Sequence, residues 1–209
     1  MKIDYALWSE IISLIVSIIC YSSLRNTVLR YFPFFLFFIV VVELIGTYMG
    51  QVLHKSNHVL YIFSYPIGFL FYAWLYFNIY KTASHRRLLV FTSILFILFY
   101  LLNLFFIQKL EIFNSYSVIV GSLILVVYTC LYFLGGIQQP KMEKNMADPL
   151  FWVSTGILIS CLIGFFYWSF FVLKIDRSGK LMKLLVKNAV LVRYLCFSIG
   201  FICQKKYQK

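Results

Sequence analysis

Apolar residues run along this chain in seven long blocks that are separated by short polar connections, and this pattern predicts seven helices. The first six blocks hold 20 to 25 residues each. At a rise of about 1.5 Å per residue, that length is enough to cross the roughly 30 Å of hydrocarbon in a bilayer. The predicted helices cover residues 5–24, 29–50, 59–80, 87–107, 113–137, 149–173 and 187–203.

The seventh block is the least regular of the series. Its uncharged part, residues 194–203, is short, and Arg193, Lys187 and Lys183 crowd its start. Two interpretations remain open for it, a seventh crossing or an amphipathic helix that lies in the membrane surface. The sequence therefore predicts an all-α, polytopic transmembrane helical bundle. It forms one domain over residues 1–209, with six crossings and a conditional seventh.

Composition and charge fit a membrane protein. The chain is 62% hydrophobic and 12% charged, with a mean hydropathy of +0.87, whereas a soluble domain is about half apolar and a quarter charged. The net charge of +12 could suggest nucleic acid, but the basic residues lie between the apolar blocks, where they set topology and meet anionic headgroups. We therefore expect a lipid bilayer as partner and no nucleic acid. The oligomeric state stays open.

The distribution of basic residues predicts an orientation in the membrane. Eight lie on the side of the N-terminus and ten on the opposite side, and over the first four helices the split is two against five. Because early helices usually dominate the positive-inside rule, this split favours an N-terminus outside and a C-terminus in the cytoplasm. The expected location is a bacterial inner membrane.

Glu43 is the clearest candidate for a functional residue. It stands inside the second predicted helix, in the run Val-Val-Val-Glu-Leu-Ile, where an ionised group costs several kcal/mol unless it is paired, hydrated or protonated. The alternative is a purely structural role, in which Glu43 is a neutral carboxylic acid that is hydrogen-bonded between helices.

Four polar residues on four helices fall at one predicted depth. Counted from the N-terminal side, Glu10 lies five residues into its helix, Glu43 about seven, Asn103 about four and Arg193 about six. At about 1.5 Å per residue, they lie within roughly 5 Å of one level. Arg193 could neutralise a glutamate in an ion pair that only holds the helices together, or the four residues could line a ligand- or proton-binding cavity. Snorkelling to the surface is a third explanation for Glu10 and Arg193.

Small residues at helical spacing predict close helix packing. Such residues let the backbones of two membrane helices approach each other. On the sixth helix they are flanked by Trp152 and Trp168, and this stripe could face an internal helix or a partner protein. The predicted packing residues are Gly46, Gly50, Gly156, Ser160 and Gly164.

Two other features carry weaker functional interpretations. The third helix is crowded with aromatic residues, for which lipid-facing bulk is favoured over an aromatic pocket. His54 and His58 are four residues apart, but no third ligand stands beside them, so we expect no metal site. The chain has no HExxH, GxSxG or P-loop motif. We expect neither a cofactor nor an enzymatic activity.

Several stretches together resemble a group of small, uncharacterised seven-helix bacterial membrane proteins. They are residues 42–46 around Glu43, the aromatic third helix, residues 148–156 and residues 203–206. The chain differs from that group in having no acidic residue between Tyr61 and Tyr80. The resemblance implies an association with two-component sensors.

These observations predict a sensor or accessory component without catalytic activity. In this hypothesis a ligand or proton repacks the helices around Glu43, and the stripe on the sixth helix passes the change to a membrane signalling protein. A small proton-coupled transporter that uses Glu43, and a membrane scaffold without a ligand, are the alternatives.

Overall fold

The computed structural model describes residues 4–108, 113–137, 148–173 and 180–207, and within these ranges every regular element is helical. We number the seven long helices in chain order. They are α1 (Tyr5–Ile19), α2 (Phe32–Gln51), α3 (His58–Ile79), α4 (Ala83–Leu102), α5 (Ser115–Ile137), α6 (Pro149–Val172) and α7 (Lys180–Tyr207). Single turns at Tyr21–Leu24 and Val28–Tyr31 connect α1 to α2, and a π-helical turn at Asn103–Ile107 extends α4.

Helices α2 to α7 are long and apolar enough to cross a membrane. Their outward faces carry large hydrophobic side chains, such as Phe34 and Phe106, which lipid solvates at no cost. We conclude that the chain is a multi-pass membrane protein with six candidate spans. Seven spans are not confirmed, because α1 has only 15 residues and reaches about 22 Å at 1.5 Å per residue.

The helix that falls short of a full crossing is thus the first one, whereas the last helix, for which the sequence left a crossing or a surface position open, is a candidate span. Helix α1 ends where Cys20 leaves helical geometry, at φ −90° and ψ 3°. Helix α7 instead begins at Lys180 and has 28 residues, of which Met182–Lys206 forms a candidate span. The basic residues had suggested a late start, but lysine is a good helix former, so Lys183 and Lys187 extend the helix.

A surface-lying position for α7 does not agree with its packing. Phe197 and Phe201 are completely buried. A β-carbon added at Gly200 would lie 2.8 Å from the carbonyl oxygen of Pro149 at the start of α6. Since the close approach continues to Gly156, the two helices pack along much of their length.

Other predicted boundaries agree with the structure to within a few residues, and the start of α6 has a clear local cause. The Asp148 side chain accepts a hydrogen bond from the backbone N–H of Leu150 at 2.9 Å, and Pro149 occupies the first helical position of α6. An acidic N-cap followed by proline is a strong helix-start signal because both residues suit the unpaired N–H groups there.

Six of the helices form a closed ring. Helix α1 packs on α2, α2 on α3, α3 on α5, α5 on α6, α6 on α7, and α7 returns to α1. Helix α4 stands outside this ring, against α3 and α5. Phe96 of α4 stacks on Phe69 of α3 with ring centroids 3.9 Å apart. The candidate site lies at the centre of this ring.

Helix α1 has its polarity reversed relative to a helix of a soluble protein. Its inward side carries Ser9, Glu10, Ser13 and Ser17, all buried, and its outward side is exposed isoleucine and tryptophan. In a membrane protein the polar side of a helix faces the bundle and the apolar side faces lipid. The short first helix therefore brings a polar surface to the centre of the ring.

Candidate functional site

A cavity of about 290 Å³ occupies the centre of the ring, and we call it the central cavity. Residues of α1, α2, α3, α5, α6 and α7 line it, together with Phe113 just before α5. On α3 the lining runs from Tyr61 to Tyr72, eleven residues or about 16 Å along the helix. The cavity is therefore elongated along the bundle.

Three of the four predicted polar residues meet at this cavity. Glu10 of α1, Glu43 of α2 and Arg193 of α7 all line it. Most of the remaining lining is aromatic or aliphatic. A cavity with a few ionisable groups in an apolar wall is the usual form of a small-molecule site.

Glu43 is held by a tyrosine from the neighbouring helix. The Tyr61 hydroxyl of α3 donates a hydrogen bond to the Glu43 carboxylate at 2.8 Å. Gly46, one turn further on α2, makes this approach possible, because a β-carbon there would lie only 3.0 Å from the Tyr61 hydroxyl oxygen. Asn57 adds a second link by donating to the Gly46 carbonyl at 3.3 Å. Glu43 and Gly46 thus act together in joining α2 to α3.

Arg193 has few partners for a buried guanidinium. It lies over the ring of Tyr194 at 4.9 Å, and its terminal nitrogen reaches the Tyr194 hydroxyl only at 3.5 Å. Its Nε is buried and has no hydrogen-bond partner. Among the described residues the one ion pair within 4.0 Å is Lys187 with Asp4, so Arg193 forms no direct salt bridge with either glutamate.

Glu10 is also incompletely paired. Its side chain is almost completely buried, at 4% exposure, and its Oε2 has no hydrogen-bond partner. The neighbouring Ser13 hydroxyl is buried without a partner as well. Since no direct ion pair links Glu10 to Arg193, the arrangement agrees better with a binding cavity than with an ion pair that only holds the helices together.

The register between α1 and α7 explains why Glu10 and Arg193 share a level. Asp4 and Lys187 form an ion pair of 2.5 Å at the start of α1, and Tyr5 donates to Asn188 at 3.0 Å. Both helices run inward from this contact. Glu10 and Arg193 each follow six residues later, which is about 9 Å deeper.

Asn103 does not belong to the cavity. Its side-chain amide donates to Ser117 at 3.0 Å and to Gln108 at 3.0 Å, and it also contacts Asn114. This separate polar cluster joins the π-helical end of α4 to the start of α5. Depth had grouped Asn103 with the other three residues, but α4 lies outside the ring, so a similar depth does not bring it near them.

The small residues of α6 face inward. A β-carbon on Gly156 would lie 2.9 Å from the Arg193 carbonyl oxygen of α7. Ser160, Gly164 and Trp168 line the central cavity. The stripe is therefore internal over these positions, and a partner protein cannot use it as its main contact. Of the other predicted packing residues, Gly50 has no atom within 4 Å of an added β-carbon.

The aromatic residues of α3 were expected to face lipid, but several face the interior. Phe69, Tyr72 and Tyr76 are buried, whereas Phe63 points outward. Tyr65 donates to the Val118 carbonyl of α5 at 3.1 Å and lines the cavity. Sequence reasoning missed these tyrosines, and their hydroxyl groups were the available signal, because lipid offers no hydrogen-bond partner.

The described residues contain no group of three or more His, Cys, Asp and Glu side chains that could hold a metal ion. His58 contacts the Ser56 hydroxyl through its Nδ1.

Comparison of the chain with protein-family models, with curated proteins and with solved structures gives no match. The central cavity is therefore interpreted from its own chemistry. It offers two carboxyl groups, one guanidinium and several tyrosine hydroxyls within an apolar wall.

Proposed function

We propose that the protein is a membrane receptor, a sensor or accessory component without catalytic activity, that binds a small ligand in the central cavity. One observation carries this proposal. Glu10, Glu43 and Arg193 line one cavity, and no direct salt bridge pairs the arginine with either glutamate.

The energetic argument favours a ligand over a structural role. An ionised side chain inside a membrane costs several kcal/mol unless it is compensated. A purely structural cluster would reduce that cost by direct pairing, since buried charges are normally paired and fully hydrogen-bonded. Here Glu10 and Arg193 each keep an unpartnered polar atom, which is the condition of a site that is completed by something else.

A route from the cavity to the opposite side of the membrane supports the sensor interpretation. Arg193 lies in the middle of α7, and its backbone packs against Gly156 of α6. A ligand that moved Arg193 would shift this contact, and α7 would carry the shift to its last turn, where Lys205 and Lys206 lie. The receiving partner in this proposal is a membrane signalling protein, as the resemblance to sensor-associated proteins implies.

The proposal also includes a location and an orientation. The protein lies in a bacterial inner membrane, with its N-terminus outside and its C-terminus in the cytoplasm. The split of basic residues over the first four predicted helices supports that orientation.

A ligand screen tests the receptor function. The purified protein would be heated with a chemically broad library of small molecules, and its melting temperature compared with that of Gly164→Leu. Gly164 lines the cavity, and its nearest neighbour across the added β-carbon is Ser122 at 3.8 Å, so leucine should fill space without forcing the backbone apart. We expect compounds that stabilise the parent protein and not the variant. A library without any such compound would contradict the proposal and favour the scaffold.

The runner-up is a small transporter that uses Glu43 as a proton relay. The position of Glu43 at the wall of a cavity, well inside a candidate span, favours it. Flux of an identified ligand into proteoliposomes, measured for the parent and for Glu43→Gln, separates the two functions. Flux that requires Glu43 would establish the transporter, and ligand binding without flux would leave the receptor.

A further inference from the structure

We propose that the ligand of the central cavity is a small zwitterion, which carries an ammonium group and a carboxylate on an apolar body, as an apolar α-amino acid does. This inference rests on the proposed function, because it names the class of ligand that the same site would take. It follows from the two charge signs of the cavity wall, the lack of a direct ion pair between them, the available volume and the character of the remaining lining.

The guanidinium of Arg193 calls for an anion. Arginine stays protonated in proteins, and its fork of N–H groups matches a carboxylate. Among the described residues, the direct contacts of the Arg193 guanidinium are the Tyr194 ring and, at 3.5 Å, the Tyr194 hydroxyl. Its Nε–H donor is unpartnered. A ligand carboxylate would supply the negative charge and the hydrogen-bond acceptors that the Arg193 guanidinium lacks.

The two glutamates call for a cation. Glu43 accepts one hydrogen bond from Tyr61, and Glu10 has an oxygen without a partner. Among the described residues no lysine lines the cavity, and Arg193 forms no ion pair within 4.0 Å with either carboxyl group. An ammonium group has three donors, so one ligand nitrogen could serve both glutamates. The tyrosine rings in the wall add cation–π attraction for the same group.

A ligand with a single charge satisfies only half of this site. A simple amine would leave Arg193 unpaired and be repelled by it, and a simple carboxylate would face two acidic side chains. A zwitterion places its two charges between groups of the protein that form no direct ion pair with each other among the described residues.

Size and lining restrict the rest of the molecule. The volume of about 290 Å³ lies at the lower end of the range of roughly 300–1,000 Å³ for small-molecule sites, which excludes a two-chain lipid. Phe35, Phe69, Leu125 and Val190 belong to the wall, so the body of the ligand should be aromatic or branched aliphatic.

Four probes that share a phenyl ring test the charge requirement on the intact protein in nanodiscs by isothermal titration calorimetry. They are phenylalanine, phenethylamine, 3-phenylpropanoate and the uncharged 3-phenylpropanamide. We expect phenylalanine to bind at least tenfold more tightly than each of the others. Equal binding by phenethylamine would overturn the role of Arg193, and equal binding by 3-phenylpropanoate would overturn the role of the glutamates.

Variants of Arg193 test the half of the site that would bind the ligand carboxylate. Arg193→Gln should weaken phenylalanine at least tenfold and leave phenethylamine unaffected or tighter. If that variant does not fold, Arg193→Lys, which keeps the charge but loses the planar fork, should weaken phenylalanine severalfold. Unchanged phenylalanine affinity in a folded variant would contradict the assignment.

Failure of this inference can be told apart from failure of the proposed function. If none of the four probes binds, the zwitterion is wrong. The broad library then decides whether the receptor survives, because that screen assumes nothing about the charge of the ligand.

Discussion

The contact between Gly156 of α6 and Arg193 of α7 can be tested by adding a single carbon atom. In Gly156→Ala the new β-carbon would lie 2.9 Å from the Arg193 carbonyl oxygen and 3.0 Å from the β-carbon of Cys196. Non-bonded contacts are favourable at about 3.5–4.0 Å, so the backbones must separate by roughly half an ångström. Overpacking of this kind costs about 1–3 kcal/mol.

Gly50→Ala is the matched control for this variant. The same substitution gains about 1 kcal/mol of helix propensity at either position, but a β-carbon on Gly50 meets nothing within 4 Å. The propensity gain cancels in the comparison, which leaves the overpacking cost of Gly156→Ala. For a chain of this length, about 1 kcal/mol corresponds to roughly 2–4 °C. We therefore expect Gly156→Ala to melt about 2–12 °C below Gly50→Ala.

The assay is thermal unfolding of the purified proteins in one detergent, followed by intrinsic tryptophan fluorescence. Gly200→Ala provides an independent check of the same interface, since its β-carbon would lie 2.8 Å from the Pro149 carbonyl oxygen. It should behave like Gly156→Ala. Equal melting temperatures for all three variants would refute the packing of α6 against α7 and, with it, the placement of Arg193.

Three further predictions concern single polar contacts. Tyr61→Phe removes the 2.8 Å hydrogen bond to Glu43 and should lower the free energy of unfolding by about 1–2 kcal/mol. Reversible unfolding in mixed micelles measures this change. An unchanged free energy of unfolding would mean that the hydrogen bond is not formed. Asn103→Leu should lower the free energy of unfolding by about 1–3 kcal/mol, because it leaves the hydrogen-bond partners of Asn103 unpaired. It should not change ligand affinity measured by calorimetry. A large change in affinity would mean that Asn103 contributes to the binding site. Asp4→Asn breaks the half-exposed ion pair with Lys187 and should lower the free energy of unfolding by less than about 1 kcal/mol. In 1 M salt this difference between the variant and the parent should disappear. A larger loss of stability that does not depend on salt would contradict a surface ion pair.

The number and approximate limits of the helices could be predicted because a bilayer imposes one length on every apolar block. The start of the last helix was misjudged because Lys183, Lys187 and Arg193 were taken as a boundary, although lysine is a good helix former. The early end of the first helix was not expected from its apolar block. Helix α7 therefore includes Lys183 and Lys187, whereas α1 stops at Ile19.

The candidate site could be predicted only in part, for a geometric reason. Helical rise gives the depth of a residue, and a spacing of three and seven residues places Glu10, Ser13 and Ser17 on one face. Neither quantity says which helices are neighbours. Asn103 had a similar depth but lies on the helix outside the ring, whereas Arg193 lies on a helix that closes it.

The partners of the site residues could not be predicted from the sequence. The Tyr61 hydroxyl reaches Glu43 because α2 and α3 approach at Gly46, and nothing in either helix alone specifies that contact. The missing salt bridge is equally a property of the assembled bundle. It depends on the distance between α1, α2 and α7, which the ring sets.

Thiol labelling tests most directly whether the central cavity is a hydrated site within the membrane. Gly164→Cys would place a thiol in the cavity wall, and Phe166→Cys would place one two residues later at a position whose side chain is 53% exposed on the outer, lipid-facing surface. Both would be made in a background whose five native cysteines are replaced by serine. Thiolate forms in water and is the reactive species, so a small charged methanethiosulfonate should modify Gly164→Cys at least tenfold faster, and phenylalanine should slow that reaction. Equal, slow labelling of both thiols would contradict a hydrated ligand site at Glu10, Glu43 and Arg193.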